Sequence, residues 1–444
     1  MPDFIPYGQQ WIDDSEIEEV VKVLKSDWIT QGPKVKEFER ALADYCGAKY
    51  AVVFSSGTAA LHGAYFAIGL QKGDEIITSP ITFVATSNAA LFLGANVIFS
   101  DIEEETVDID INLIEDKITE KTKAIVPVHF AGQPVDMDEI LDIAKRHEIF
   151  VIEDACHALG SQYRCQISDV RCQKSDTGGN SQEETDNGQG TRDKGLKTTD
   201  KEQRTKDGWI KVGSCSHSDM AVFSFHPVKN ITTGEGGAVL TNTKDLYEKL
   251  IMFRHHGITK NPEKFVSKDS AFAPHAKRHT LNADPWYYEM HYLGNNYRLT
   301  DFQCALGISQ LRKLDNFVLI RREIVKWYNE ALEDIEEIEP IKEKDNRISA
   351  WHIYVIKLRL ERLKKTRREI FDYLRSKGIG VHVHYLPVYW HPYYQKLGYK
   401  KGLCPIAEGY YQRAITLPVF PSLKKTDIKR IIEAIKDSLN SISL

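Results

Sequence analysis

The sequence lacks any long apolar run, and its charges are nearly balanced. No apolar stretch in the 444-residue chain approaches the roughly 18–20 residues that a membrane-spanning helix requires. Lys and Arg number 58 against 63 Asp and Glu, which gives a formal net charge of −5. Because there is no general excess of basic charge, nothing would attract nucleic acid or an anionic membrane over a wide surface. We therefore expect neither a membrane partner nor a nucleic-acid partner.

Cysteine is scarce, and a secretion signal is not visible. The seven cysteines are scattered and odd in number, which is typical of reduced thiols rather than of a disulfide framework. The opening stretch, MPDFIPYGQQWIDD, has no basic segment followed by an apolar core, so it does not resemble a signal peptide. These features predict a soluble, cytoplasmic protein.

Residues from about 14 to 160 alternate between helical patterns and short apolar runs. The helical patterns are DSEIEEVVKVLKS, KVKEFERALADYCG, GTAALHGAYFAIG, VATSNAALFLG and DMDEILDIAKRH. The runs of strand length are YAVVFSS, DEIITS, ANVIFS, KAIVPVHF and FVIED. Strands that alternate with helices indicate right-handed crossovers and a mostly parallel sheet covered on both faces. The predicted fold class is therefore α/β.

Residues 162–212 interrupt this alternation with a polar segment rich in Gly and Thr. Its composition favours a flexible surface insertion. Cys165 and Cys172 lie within it, but nothing nearby completes a set of metal ligands, so we expect no metal.

The rest of the chain predicts a second, smaller domain. Residues 298–334 read as one long helix or as two in tandem, and WHIYVIKL and IGVHVHYL read as strands. TRREIFDYLRSKG and DIKRIIEAIKDSL have helical spacing. We predict a large α/β domain over residues 1–258 and a smaller C-terminal α+β domain over residues 259–444.

Three polar signals follow predicted strands, where open parallel sheets bind their ligands. The first is SSGTAAL, in which Gly57 permits a close turn and Thr58 begins a helix. Free N–H groups at that helix start, with nearby hydroxyls, would make an anion cup. A plain helix cap is the alternative.

The second signal is VIEDACHALG, which places Asp154 at the end of a strand. A carboxylate buried there needs a partner, such as a protonated ring nitrogen, unless it only caps the next helix.

The third signal is VFSFHPVKNITTGEGG, which places Ser224 at a strand end and Lys229 on the turn that follows. A lysine held beside apolar residues has a lowered pKa, which frees a neutral amine for attack on a carbonyl. A lysine that points to solvent is the alternative, although Gly234, Gly236 and Gly237 favour a close approach of the backbone to a ligand.

Together these signals match what pyridoxal phosphate requires. Its aldehyde needs an amine, and its ring nitrogen needs a carboxylate. Its phosphate needs a helix start with hydroxyls, and one face of its ring needs an aromatic stacking partner. The candidates are, in that order, Lys229, Asp154, the group Gly57, Thr58 and Ser224, and Phe83 of SPITFVAT. The sequence therefore predicts a pyridoxal phosphate site.

At these residues the sequence resembles the DegT/DnrJ/EryC1/StrS sugar aminotransferases, a family of fold-type I pyridoxal phosphate enzymes. The stretches that carry the resemblance, in the family's order, are WITQGPKVKEFE, SSGTAAL, TFVATSNAA, EDACHALGS, FSFHPVKNITTGEGGAV and LGNNYRLTDFQCALGISQL. They span nearly the whole chain apart from residues 162–212 and part of 259–290. Asn295 departs from the family pattern, which usually has a bulky residue there.

The resemblance implies roles for further residues. Lys229 and Asp154 are the implied catalytic residues, and His157 is implied to contact the cofactor's 3′-oxygen. Asn296 is implied to reach the cofactor phosphate of a neighbouring subunit, which makes a homodimer with shared sites the expectation. Residues implied to line the nucleotide-sugar pocket are Tyr7, Trp28, Ile29, Thr30, His384 and Tyr385.

The implied reaction moves an amino group from L-glutamate to a nucleotide-linked keto sugar. The expected acceptor is C4 of a UDP-4-keto-6-deoxy-N-acetyl-hexosamine, and another UDP- or dTDP-linked keto sugar, aminated at C3 or C4, is the alternative. A related sugar dehydratase is a further alternative, but such relatives carry histidine where this chain has Lys229.

Overall fold

The structure is a computed structural model that describes residues 4–164, 208–267, 271 and 285–440. Most of the predicted insertion over residues 162–212, including Cys165 and Cys172, lies outside the described residues. Part of residues 259–290, which the family resemblance does not fully cover, also lies outside the described residues.

Eleven α-helices lie in the described ranges. They are α1 (Asp14–Leu24), α2 (Pro33–Cys46), α3 (Gly57–Ala67), α4 (Ala85–Phe92), α5 (Met137–His147), α6 (Lys244–Arg254), α7 (Asp301–Leu332), α8 (Arg367–Ser376), α9 (Pro392–Lys396), α10 (Pro405–Arg413) and α11 (Lys425–Asn440). The pattern over residues 298–334 forms one long helix, α7, rather than two.

Fifteen β-strands lie in the same part of the chain. They are β1 (Tyr50–Phe54), β2 (Glu75–Thr78), β3 (Asn96–Phe99), β4 (Thr122–Val126), β5 (Phe150–Asp154), β6 (Gln162–Tyr163), β7 (Ile210–Lys211), β8 (Met220–Ser224), β9 (Gly237–Thr241), β10 (Ile258–Thr259), β11 (Glu289–Met290), β12 (Ile338–Pro340), β13 (Arg347–Ile348), β14 (Tyr354–Leu358) and β15 (Ala414–Leu417).

The main sheet has seven strands in the order β1-β9-β8-β5-β4-β2-β3. Pairs β8/β5, β5/β4, β4/β2 and β2/β3 are parallel, and β9 runs antiparallel to both of its neighbours. The predicted α/β class with a mostly parallel sheet is confirmed. The single antiparallel strand follows from the turn after β8, which brings the chain straight back beside it.

Helices cover both faces of this sheet, as the alternation along β1 illustrates. Val52 and Phe54 pack in one apolar cluster with α3. Ala51 and Val53 pack in the other cluster with α2, α5 and α7. Because successive side chains of a strand face opposite ways, a strand buried on both faces reads as the continuous apolar run seen in the sequence.

The ends of the predicted insertion lie side by side. Gln162 pairs with Lys211 and Tyr163 with Ile210, in antiparallel register. Strand β13, from the C-terminal part of the chain, joins the other edge of β6. The chain therefore leaves and re-enters the described structure at one place, and β5 and β8 pair directly despite the intervening residues.

A second sheet, β12-β14-β15, lies in the C-terminal part of the chain. Its three strands are antiparallel, and the predicted domain boundary at residues 258 and 259 stays a prediction. None of the helices in the described ranges is both long and apolar enough to cross a membrane.

The predicted strand IGVHVHYL is wrong. Within it only Ile379 and His382 make isolated bridges, to Ile5 and Thr416. Gly380 donates a 2.6 Å hydrogen bond to the carbonyl of Ile5, and the segment then turns inward, so that His384 is buried. Its alternating apolar residues therefore reflect contacts with several elements rather than a sheet ladder.

Candidate active site

The three polar signals meet at one edge of the main sheet. Phe54 of β1 and Ser224 of β8 both lie opposite Gly237 of β9, and Asp154 of β5 lies opposite Val222 of β8. A pocket of about 520 Å³ opens at this edge. Ten of the predicted site residues line it, namely Tyr7, Gly57, Thr58, Phe83, Asp154, His157, Ser224, Lys229, His384 and Tyr385.

The start of α3 forms a close-fitting cup on this pocket. Ser56 caps the helix, because its hydroxyl accepts a 3.1 Å bond from the N–H of Ala59. A Cβ on Gly57 would lie 2.9 Å from Ser224 Cβ, and one on Gly237 would lie 2.6 Å from the carbonyl oxygen of Ser56. Glycine at these two positions therefore allows the start of α3, the end of β8 and the start of β9 to lie against one another. The N–H groups of the first turn of α3 remain available to bind an anion.

Asp154 is buried and partly satisfied by hydrogen bonds. Its Oδ2 accepts a 2.6 Å hydrogen bond from the hydroxyl of Thr86, in the first turn of α4. Its Oδ1 accepts a 3.2 Å hydrogen bond from the backbone N–H of Cys156. Both donors are neutral, so the carboxylate can still receive a cationic N–H donor from the pocket.

Lys229 lies on a turn that is tied to the segment after Asp154. Its backbone N–H donates to the carbonyl of His226 (2.9 Å), and the side chain of Asn230 donates to the carbonyl of Leu159 (2.9 Å). Among the described residues, Lys229 Nζ has no hydrogen-bond or ion-pair partner. Burial lowers the pKa of Lys229, although Cys156 and Asp154 act in the opposite direction. This shift increases the fraction of neutral, reactive amine.

His157 faces the same pocket and is kept neutral. Burial holds the pKa of His157 well below its usual range, and the neighbouring basic groups Lys229 and His384 lower it further. Its Nε2 lies 3.1 Å from the hydroxyl of Tyr385, and its ring packs against that of His352 at 4.3 Å. A neutral imidazole in this position can exchange hydrogen bonds with a polar group on the cofactor.

The C-terminal part of the chain closes one side of the pocket. His384 Nδ1 lies 2.8 Å from the hydroxyl of Thr416, and Tyr410 donates a 2.7 Å hydrogen bond to the carbonyl of His384. Burial lowers the pKa of His384 to about 3, with smaller effects from His382 and Lys229. The ring of Tyr7, from the N-terminal stretch, packs against the ring of His384, and their centroids are 5.5 Å apart.

Four predicted site residues lie away from this pocket in the same chain. Thr30 bridges to Thr300, and Trp28 and Ile29 beside it are 58% and 52% exposed. Asn296 is exposed and bridges to His255. Their roles in binding stay predictions, and Asn296 was predicted to act on a neighbouring subunit.

Several further residues line the pocket that the sequence patterns did not predict, namely Thr86, Cys156, His226, Glu235, His352 and His382. Thr86 had a detectable signal, since it lies three residues after Phe83 in TFVATSNAA and in the first turn of the helix there. His352 had none, because it reads as part of a strand and approaches His157 only through the tertiary fold.

Comparison with known proteins identifies the family. The sequence pattern of the DegT/DnrJ/EryC1/StrS aminotransferase family matches residues 10–436. The chain belongs to this family. A UDP-4-amino-4,6-dideoxy-N-acetyl-beta-L-altrosamine transaminase of Campylobacter jejuni is 38% identical over 441 residues, which cover 99% of this chain and 97% of that protein.

Solved structures of sugar aminotransferases are similar over nearly their whole length. PseC of Helicobacter pylori, an aminotransferase involved in pseudaminic acid biosynthesis, has a TM-score of 0.80 at 30% identity and covers 99% of this chain and 100% of its own. A putative sugar aminotransferase of Streptococcus pneumoniae, in its pyridoxal phosphate form, has a TM-score of 0.78 at 27% identity and covers 98% of both chains. The predicted fold-type I class is confirmed.

DegT/DnrJ/EryC1/StrS aminotransferases depend on pyridoxal phosphate, so this protein is a pyridoxal phosphate-dependent sugar aminotransferase. The pocket fits that cofactor on structural grounds. Its glycine cradle beside the start of α3 suits a phosphate. The amine of Lys229, which has no partner within the described part of the chain, shares the pocket with the buried carboxylate of Asp154. Phe83, 58% exposed at the rim, offers an aromatic face.

Proposed function

We propose that this enzyme transfers the amino group of L-glutamate to C4 of a UDP-4-keto-6-deoxy-N-acetyl-hexosamine. The product would be UDP-4-amino-4,6-dideoxy-N-acetyl-β-L-altrosamine, for pseudaminic acid biosynthesis. The observation that carries the proposal is the convergence of Lys229, Asp154 and the cup of Gly57 and Ser224 on one pocket. The choice of sugar rests on the named relatives from Campylobacter jejuni and Helicobacter pylori.

Bound pyridoxal phosphate supplies an aldehyde that accepts amino groups and a ring that withdraws electrons from the reacting carbon. Lys229 would hold the cofactor covalently at rest. The Nζ of Lys229 would also move the proton at the substrate carbon that carries the nitrogen. Its lowered pKa increases the fraction of neutral amine that can accept that proton.

The remaining residues hold and orient the cofactor. Asp154 would keep the ring nitrogen protonated, with Thr86 fixing the carboxylate through its 2.6 Å hydrogen bond. The start of α3, with Thr58 and Ser224, would bind the phosphate. Phe83 would stack on one ring face.

Substrate binding would combine residues from both ends of the chain. Tyr7, His384 and Tyr385 line the pocket and would contact the sugar. We propose a cytoplasmic homodimer, in which Asn296 of one subunit reaches the cofactor phosphate of the other. Trp28, Ile29 and Thr30 would line the nucleotide-sugar site, and their exposure in a single chain is consistent with a site that a second subunit completes.

A panel of nucleotide keto sugars tests the proposal. Purified enzyme with pyridoxal phosphate and L-glutamate is incubated with UDP- and dTDP-linked 3-keto and 4-keto sugars, and products are identified by mass spectrometry and NMR. We expect amination at C4 of the UDP-4-keto-6-deoxy-N-acetyl-hexosamine. Preferential amination of a dTDP sugar, or at C3, would overturn the assigned substrate while leaving the aminotransferase activity in place.

A further inference from the structure

His129 contacts two consecutive residues at the end of β5. Its backbone N–H donates to the carbonyl oxygen of Asp154 at 3.2 Å. Its ring Nε2 lies 2.8 Å from Oε2 of Glu153, and the two side chains are 0% and 1% exposed. His129, in the segment after β4, therefore binds both Asp154, which lines the pocket, and Glu153, which precedes it.

The hydrogen bonds of the His129 ring define where its proton lies. The backbone N–H of Val135 donates to Nδ1 at 3.1 Å. An N–H group can only donate, so Nδ1 carries a lone pair and the proton lies on Nε2. His129 therefore donates from Nε2 to Glu153. The hydroxyl of Ser218 donates to the other oxygen of Glu153, so each carboxylate oxygen has a neutral donor.

The main chain of Asp154 is held on both sides by the same segment. Its N–H donates to the carbonyl of Pro127 at 2.9 Å, and its carbonyl accepts from the N–H of His129. Successive side chains of a strand face opposite ways, so Glu153 lies on the sheet face away from Asp154. The contacts of Glu153 are thus separate from the cofactor pocket, yet they fix the strand end that carries Asp154.

We propose that His129 and Glu153 are positioning residues for Asp154. They hold the end of β5 against the segment after β4, and so set the direction in which the Asp154 carboxylate meets the ring nitrogen of the cofactor. This inference rests on the proposed role of Asp154. A carboxylate that must meet one ring nitrogen needs this support, because a displacement of about 0.5 Å is enough to spoil such a contact.

Paired substitutions separate positioning from general stability. Glu153→Met and His129→Leu remove the side-chain bond between the two residues, while Glu153→Gln and His129→Gln keep polar groups of similar size. Glu16→Met is the matched control. Glu16 is also a fully buried glutamate, but it contacts Ser309 and Lys313 between α1 and α7. Asp154→Asn removes the charge of the carboxylate itself, so its changes in cofactor affinity and in the pH midpoint set the upper limit for the other variants.

Three quantities are measured for each variant: the Kd of pyridoxal phosphate for the apo-protein, the pH midpoint of the absorbance change of the bound cofactor, and the Tm of the apo-protein. We expect Glu153→Met and His129→Leu to raise the Kd about tenfold, as loss of outer-shell support commonly does, and to shift the pH midpoint. The Kd and the pH midpoint of Glu153→Gln and His129→Gln should lie between those of the apolar variants and those of the parent. Glu16→Met should lower the Tm alone.

The inference is overturned if Glu153→Met and His129→Leu lower the Tm as Glu16→Met does but leave the Kd and the pH midpoint at parental values. Ser218→Ala gives a second test if the apolar variants do not fold. It removes one donor to Glu153, and we expect the Kd to rise about threefold, as for one ordinary hydrogen bond; an unchanged Kd would count against the proposal. A parent protein that binds pyridoxal phosphate but aminates no sugar would refute the proposed substrate, not this role.

Discussion

Thr86 donates a 2.6 Å hydrogen bond to Oδ2 of Asp154 across 68 residues of sequence. The bond joins the first turn of α4 to the end of β5, and Thr86 also contacts the hydroxyl of Thr82 at 2.9 Å. These contacts restrict the rotation of the Asp154 carboxylate before a cationic partner binds. The start of α4 and the end of β5 are thereby fixed together at the point where the ring nitrogen is expected.

Replacement of Thr86 should weaken cofactor binding. A hydrogen bond to a charged group contributes about 1.5–3 kcal/mol, so Thr86→Val, which keeps the shape but loses the hydroxyl, should raise the Kd of pyridoxal phosphate at least about tenfold. Thr86→Ser keeps the hydroxyl and is the matched control. Titration of the apo-proteins measures both values. Equal Kd values for Thr86→Val and the parent would mean that this bond does not orient Asp154.

Lys229→Ala should bind pyridoxal phosphate without a covalent bond and should not turn over. The reason is that Nζ of Lys229 is the one lysine amine among the described residues lining the pocket. Reduction with borohydride should attach the cofactor permanently to the parent protein and not to the variant. Mass spectrometry of the two proteins measures the added mass. Lys229→Arg keeps a long basic side chain but has no amine that can bond to the cofactor, so it should fail in the same way. Full transamination by Lys229→Ala would remove this lysine from its proposed role.

Gly57→Ala should distort the phosphate cup. The added Cβ would lie 2.9 Å from Ser224 Cβ, and overpacking of this kind costs about 1–3 kcal/mol. We expect a lower Tm and weaker binding of pyridoxal phosphate. Gly409→Ala, in α10, is the control, because nothing lies within 4 Å of its added Cβ. That change should raise stability by about 0.5–1 kcal/mol. If both variants bind the cofactor normally, Gly57 does not shape the cup.

Several of the predicted site residues that line the pocket share one property. Asp154 and Ser224 end strands, and Gly57 and Lys229 lie within five residues after a strand end. The carboxyl ends of parallel strands meet at one sheet edge. A local pattern is then enough to predict a shared location. The same holds for the sheet, since each central strand is a continuous apolar run bounded by helical patterns.

The parts that were missed depend on contacts between distant segments. His352 reaches the pocket from a segment beside α7, and IGVHVHYL enters it as irregular backbone where alternation predicted a strand. The hydrogen bonds from His129 to Glu153 and from Thr86 to Asp154 join residues that are 24 and 68 positions apart in the sequence. Spacing within one segment carries no information about such pairs, because the packing of the whole sheet determines which side chains meet.

The stability of the apo-protein should fall in acid partly because of His384. Its pKa in the folded protein lies near 3 against an ordinary value of 6.5. As the pH falls below about 6.5, the unfolded chain takes up a proton that the folded chain refuses, so the unfolded state gains stability. At pH 5 this amounts to about 2 kcal/mol, at about 1.4 kcal/mol per pH unit.

His384→Asn removes this titration while it keeps a polar group near Thr416, which His384 contacts at 2.8 Å. The free energy of unfolding is measured by urea denaturation of both apo-proteins at pH 5, 7 and 9. The parent should lose about 2 kcal/mol relative to the variant between pH 7 and pH 5, following the same linkage. Between pH 7 and pH 9 the difference should stay constant, since this histidine is neutral in both states there. A difference that is also constant between pH 7 and pH 5 would mean that His384 protonates in the folded protein as readily as in the unfolded chain, and that the pocket does not exclude charge at this position.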